Sequence, residues 1–138
     1  MIFRRVSIFA LVLCSLLTIQ VGAVEGQSNY FTMEGYVFSA ETLRPVENVT
    51  VRLYQTLVNG SYIETPTITD ANGSFVVSTL ANLDGVQLIV TATCRTARGK
   101  VGSQSLVRKN QAATPGATYQ KNLYIKLPRG ISGCLADD

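Results

Sequence analysis

A chain of 138 residues with no histidine is closed to Ser-His-Asp and Cys-His catalysis and to most zinc chemistry. Its 12 basic and 9 acidic residues leave a formal net charge of +3, too mild a balance to point to nucleic acid. The length suits one small domain behind a leader.

Arg4 and Arg5 precede the apolar run 6–19, and Val21-Gly22-Ala23 sets small residues before a cut. That is the pattern of a secretory signal peptide, and the run is shorter than the roughly 20 residues a membrane span needs. Residues 1–23 are therefore expected to be cleaved. Residues 24–138 then form a single exported domain with a basic C-terminal part, no membrane span and a net charge of +1 (ten basic minus nine acidic). Only Cys94 and Cys134 survive the cut, and in an oxidising compartment two cysteines most simply form one disulfide.

A short polar lead runs into the first strand, with Phe31, Met33, Gly35 and Val37 on one side and Tyr30, Thr32, Glu34, Tyr36 and Phe38 on the other. Pro45 fixes the backbone before the next strand, in which Val49, Val51 and Leu53 alternate with Thr50, Arg52 and Tyr54, the clearest half-buried period in the chain. Asn59-Gly60 reads as a hairpin turn, and Pro66 makes the returning piece an edge strand, a bulge or a strand boundary. Asp70-Ala-Asn-Gly73 is a second tight turn, in which Asn72 and Gly73 both tolerate positive φ. It leads into Phe75 and Val77, alternating with Ser74, Val76 and Ser78. Val86, Leu88, Val90 and Ala92 continue the pattern to Cys94. Residues 95–104, with two glycines and three cations, read as a loop, and residues 105–107 as a short strand. Residues 111–118 form a loop around Thr-Pro-Gly, and Leu123, Ile125 and Leu127 mark a last strand that Pro128 stops. No helical period appears. Short strands with turn signals between them predict an all-β, single antiparallel β-sandwich of about seven strands.

The order Gly35-Tyr-Val-Phe38, Arg44-Pro-Val-Glu-Asn-Val-Thr-Val-Arg-Leu53, Thr69-Asp-Ala-Asn-Gly-Ser-Phe75 and Val86-Gln-Leu-Ile-Val90 resembles the carboxypeptidase regulatory-like domains of the transthyretin-like (prealbumin-like) sandwich group. The resemblance covers residues 35–93 and implies that fold. A second resemblance, in motif order, is to the extracellular olive pollen allergen family. The purine-breakdown hydrolase of the transthyretin-like group depends on histidines and a C-terminal Tyr-Arg-Gly-Ser, and neither is present here. On that ground the chain is expected not to be an enzyme.

Charge divides the chain. Residues 24–90 hold seven acids against Arg44 and Arg52, while residues 91–129 hold eight cations and no acid. Arg95, Arg98, Lys100, Arg108 and Lys109 are candidate residues for an anionic ligand, in an exported protein an acidic polysaccharide or cell wall, although charge runs more often serve solubility. The tyrosines would assist by stacking on sugars if they shared one face. Asn48, Asn59 and Asn72 open Asn-x-Ser/Thr sequons. Asn59 and Asn72 are also wanted by their turns, and Asn48 shows no such need. Asp70 and Asn72 begin like a calcium loop, but the later ligands do not follow, so Asp70 reads as a turn cap. No metal, cofactor or nucleic-acid partner is expected. The expectation is thus a secreted non-enzymatic binding or structural module with a polysaccharide or cell-surface protein as partner. The second reading is a protein-interaction module pairing through an edge strand, as a homodimer or receptor ligand.

Overall fold

The computed structural model describes residues 29–136, so the leader assigned to residues 1–23 lies outside them. Eight strands make up the described chain: β1 (Tyr30–Ser39), β2 (Thr50–Leu57), β3 (Tyr62–Ile68), β4 (Ser74–Leu80), β5 (Gly85–Thr96), β6 (Gly99–Lys109), β7 (Thr118–Gln120) and β8 (Leu123–Ile125). There is no helix among the described residues. One sheet runs β4-β1-β7, with β8 also on β1, and the other runs β3-β2-β5-β6. The all-β sandwich is thus the fold.

The inner faces follow the period-2 reading. Phe31, Met33 and Val37 of β1 and Phe75 and Val77 of β4 meet Val51 and Leu53 of β2 and Leu88, Val90 and Ala92 of β5, all buried, with Leu123 and Ile125 of β8 closing the same core. Gln55, buried at the end of β2, clamps the two sheets, since its amide donates to the Leu80 carbonyl and its oxygen accepts the Asn82 N–H. Pro66 lies on β3, an edge strand, opposite Arg52 of β2. That edge is where a residue with no N–H does least harm.

Three features differ from the sequence reading. Residues 95–104 are not a loop: Arg95 and Thr96 finish β5, and β6 starts at Gly99, pairing back with register Arg95↔Lys100 and Thr93↔Gly102. The expected short strand 105–107 lies in the second half of this 11-residue strand. The sandwich is also not wholly antiparallel, because β7 and β8 both run parallel to β1. Finally, the Asp70–Gly73 turn is no hairpin turn. It joins β3 of one sheet to β4 of the other, and within it only Gly73 has positive φ (72°).

That corner is built from side chains. One carboxylate oxygen of Asp70 accepts the N–H groups of Asn72 and Ser74, the self-capping expected of it. The buried Thr69 hydroxyl accepts the Val49 N–H and donates to the Val46 carbonyl. Gly73 is buried too, and a Cβ there would lie 2.8 Å from Pro45 Cβ and 2.9 Å from the Val37 carbonyl oxygen. Gly60 has positive φ as well (87°), but open space around it.

The two glycines therefore separate backbone strain from crowding. Gly60→Ala is expected to cost about 1 kcal/mol, from positive φ alone. Gly73→Ala should cost roughly 1–3 kcal/mol more, because the neighbours are backbone and a proline ring in a packed interior. Phe75→Ala, emptying a core site, should cost about 3–5 kcal/mol. Urea melts of the three variants test this. Equal losses for the two glycine variants would remove the crowding argument.

Candidate functional site

The parallel edge of the first sheet is interrupted. Thr32 pairs with Thr118 and Val37 with Leu123, one constant register, yet pairing lapses at Lys121 and Asn122, opposite Gly35 and Tyr36. A Cβ on Gly35 would overlap the Lys121 carbonyl, so only glycine lets the chain pass here. Two bonds bridge the gap. The Lys121 N–H donates to the Glu34 carbonyl at 3.0 Å, and the Tyr36 N–H donates to Asn122 Oδ1 at 3.1 Å.

Over this gap lies a cleft of ≈ 300 Å³, lined by Glu34, Tyr36, Ser74, Val76, Gln120 and Asn122 among others. Gln120 Nε2 donates to Glu34 Oε1 at 2.9 Å and so orients the carboxylate. Tyr36 opens a row of aromatic rings leading out of the cleft. Its ring stacks on Phe38 (centroids 5.9 Å apart, planes 19° apart), and Phe38 meets Tyr124 at 5.8 Å. Of this row Tyr36 lines the cleft itself, beside Phe75, Val76 and the polar groups of Glu34, Gln120 and Asn122, and an apolar surface with a few convergent polar groups is the usual make-up of a small-molecule site.

The tyrosines do not share one face. Tyr36 and Tyr124 are on the first sheet, Tyr54 and Tyr62 pack edge to face on the second, and Tyr119 lies edge-on to the core ring of Phe31. The five candidate cations separate as well. Arg95 and Lys100 are cross-strand partners, and Arg98 donates to the Arg129 carbonyl. Arg108 and Lys109 pair with Leu88 and Gln87 at the other end of the hairpin. Eight residues of strand separate Lys100 from Arg108, about 27 Å, several times the screening length of about 8 Å at physiological salt. They cannot act as one patch.

Arg108 is instead structural. Its guanidinium sits 5.4 Å over the Tyr119 ring, donates to the Tyr119 hydroxyl at 2.7 Å and bonds Gln111 Oε1, while its Nε is buried without a partner. The Thr114 N–H also donates to the Tyr119 hydroxyl, at 2.9 Å. Burial pushes the Tyr119 phenol up, but the hydrogen bonds from Thr114 and Arg108 and the Arg108 charge outweigh it, leaving the phenol below the usual tyrosine value. Nothing in the sequence pattern marks this clip, because the partners come from β6, β7 and the loop between them.

Cys94 and Cys134 form a disulfide with Cα atoms 5.3 Å apart, as the cysteine count implied. Asn59 and Asn72 are exposed at their turns and Asn48 is half-buried. Asn48 has φ of 64°, a conformation asparagine tolerates better than most residues, so it does have a backbone reason to be asparagine. Among the described residues no three His, Cys, Asp or Glu side chains come together to hold a metal ion, and no helix is long and apolar enough to cross a membrane.

No family model matches the chain, and no curated protein matches it by sequence. Solved structures do. The dioxygenase domain of a dioxygenase–carbohydrate-binding protein fusion from the cellulolytic bacterium Streptomyces sp. SirexAA-E superposes with a TM-score of 0.52 at 18% identity, covering 73% of this chain and 82% of that one. Hydroxyquinol 1,2-dioxygenase from Pseudomonas putida DLL-E4 superposes with a TM-score of 0.50 at 11% identity, covering 73% of this chain and 57% of that one. Catechol 1,2-dioxygenase from Acinetobacter sp. ADP1 gives 0.47 at 14% identity, covering 72% and 53%. At such identities the likeness is one of fold.

This likeness corrects the functional expectation. The chain was read as a secreted non-enzymatic binding or structural module, yet the first two of these structures share its fold and are dioxygenases. The fold is one that carries enzymes, and the non-enzymatic assignment falls. The missing histidine removed only chemistry that needs imidazole and left Tyr, Arg and Glu untouched. The acidic-polysaccharide site falls with it, since its cations stand at opposite ends of a hairpin. The edge-pairing alternative was part of the same non-enzymatic reading and is corrected with it.

The Tyr119 clip makes a pH prediction. A phenol whose folded-state pKa lies below its unfolded value of about 10 stabilises the fold above that value, and loses this contribution as pH falls through the folded pKa. The stability gap between the native protein and Tyr119→Phe is therefore expected to widen as pH rises from neutrality toward about 10. Urea melts across that window check it. A gap that narrows would show that the phenol is not held by Arg108 and Thr114.

Proposed function

We propose that the chain holds a small hydroxylated aromatic compound in the cleft over the β7–β8 gap. The observation that carries this reading is the gap itself, which sets the Glu34 carboxylate and the Gln120 and Asn122 carboxamides beside the Tyr36–Phe38–Tyr124 row. A ring stacks on such a row, and its hydroxyls find the carboxylate and amides. The compound class is that named for the hydroxyquinol dioxygenase of the same fold.

In this reading Tyr36 stacks, Glu34 accepts a hydroxyl proton's hydrogen bond, and Gln120 keeps Glu34 in place. Oxygen chemistry is carried by metals or organic cofactors. The described residues offer no His, Cys, Asp or Glu donor set for a metal and do not fit one, so no ring-opening step is assigned. The leader and the Cys94–Cys134 disulfide support an oxidising, exported location. The corner built on Thr69, Asp70 and Gly73 supports kinship with the carboxypeptidase regulatory-like domains, whose turn motif it matches. In a eukaryotic secretory pathway the exposed Asn59 and Asn72 would be the sequons to carry glycans.

Isothermal calorimetry with hydroxyquinol under argon tests the site. Saturable binding is expected, and Tyr36→Ala should weaken it roughly fivefold, the worth of about 1 kcal/mol of ring stacking. Glu34→Gln should weaken it further, while Tyr62→Ala, on the other sheet, should not. Absence of saturable binding, or equal loss in Tyr36→Ala and Tyr62→Ala, would reject the cleft.

A further inference from the structure

The tripeptide Asn-Gly-Ser occurs twice, at residues 59–61 and 72–74, and the fold gives the two copies opposite surroundings. An asparagine before a glycine is chemically labile. The glycine nitrogen can attack the side-chain carbonyl carbon, and with no Cβ beside it nothing hinders the approach. By local sequence the two sites are equal. By structure they are not.

Residues 59–61 lie exposed in the β2–β3 turn. Asn59 Oδ1 accepts the Ser61 N–H at 2.9 Å and the Ser61 hydroxyl at 2.6 Å. These bonds fold the Asn59 carboxamide back across the Gly60 peptide. They also polarise its carbonyl, as paired donors do for an acyl group under attack. The Gly60 N–H donates to the Leu57 carbonyl at 3.0 Å, the one bond that the attack gives up. Open space surrounds Gly60, so the turn can move.

Residues 72–74 are tied from both sides. The Asn72 and Ser74 N–H groups donate to Asp70 Oδ1. The Gly73 N–H donates to the Asp70 carbonyl at 2.9 Å, and the Gly73 carbonyl accepts the Val37 N–H at 2.8 Å. Gly73 is also buried against Pro45, Val37 and Val46. Among the described residues no donor reaches the Asn72 carboxamide oxygen.

We propose that Asn59 is a site of self-modification through a succinimide, and that the fold protects Asn72 from the same reaction. The Gly60 nitrogen bonds to Asn59 Cγ and gives its proton to solvent. The bond from Cγ to the carboxamide nitrogen breaks, and that nitrogen leaves as ammonia with a proton from solvent. Water then opens the imide. Opening at Cγ leaves aspartate, and opening at the backbone carbonyl leaves isoaspartate, with the chain running through the side chain. The net reaction consumes water and releases ammonia, with no oxidant or cofactor. It places a carboxylate on the β2–β3 turn. A glycan on Asn59 would block it, since both use the same carboxamide nitrogen. The turn belongs to the second sheet and the aromatic cleft to the first, so either assignment stands or fails alone.

Peptide mapping by mass spectrometry tests it, on protein made in a host without N-glycosylation and held folded in neutral buffer. Asn59 should show the mass change from amide to acid, with aspartate and isoaspartate both present. Asn72 should convert about tenfold more slowly or not at all, because moving Gly73 strains a packed corner. In the urea-unfolded chain the two sites should convert at similar rates. Ser61→Ala, in an exposed turn, should slow Asn59 about fivefold relative to the same variant in urea, the worth of one hydrogen bond, and leave Asn72 as it was. Equal rates at the two sites in the folded protein overturn the proposal, as does an intact Asn59 after the unfolded chain has converted. An unchanged Asn59 rate in Ser61→Ala overturns the role given to Ser61.

Discussion

The Thr69 hydroxyl is the interaction on which the architecture depends. It lies buried, accepts the Val49 N–H and donates to the Val46 carbonyl, just where the chain leaves one sheet for the other. Losing that hydroxyl would leave a buried donor and a buried acceptor without partners, which costs more than the bonds add when made. Through it the start of β2 is fixed against the Asp70–Gly73 corner, and the Gly73 carbonyl in turn accepts the Val37 N–H at 2.8 Å. β4 is thereby delivered beside β1 in the register Gly35↔Phe75. That register brings Ser74 and Val76 to the aromatic cleft.

The sandwich was legible because its inner strands are buried on one face only. Val49, Val51 and Leu53 show the alternation cleanly, and all three are buried. β6 was not legible for the opposite reason. It is an edge strand on which no residue is fully buried, so its polar residues and glycines read as a loop. Arg95, Arg98 and Lys100 were accordingly placed in one loop with Arg108 and Lys109 nearby, when the strand holds the two groups far apart. The parallel entry of β7 and β8 left no local sign either. It depends on Gly35 admitting the Lys121 carbonyl, a contact between residues 86 positions apart that no period reveals.

The candidate sites were legible in proportion to how local they are. Asp70 capping its own turn needs only neighbours within four residues, and its role was plain. On the outer face of the second sheet Arg52 of β2 lines the same cleft as Arg95 and Lys100 of the β5–β6 hairpin, and the opposite charge bias of the two halves of the chain hid that. The halves interleave because β2 pairs with β5, so an arginine of the acidic half completes a group from the basic half. Histidine shows the limit of reading an absence. It removed certain mechanisms, and the inference from there to no catalysis at all does not hold for a fold that carries dioxygenases.

Gly35 ties the fold to the aromatic cleft. Its missing side chain allows the β7–β8 segment to lie close against β1, and pairing lapses at this close approach, at Lys121 and Asn122. An unbroken ladder there would have turned Glu34, Tyr36 and Gln120 into an ordinary flat sheet face. The lapse gives depth, and Asn122 repairs the one N–H it leaves on Tyr36 by offering a side-chain oxygen. The backbone thus stays satisfied while the surface opens. A side chain at Gly35 would therefore act on the cleft before the core, pushing Lys121 outward and breaking the bond between its N–H and the Glu34 carbonyl.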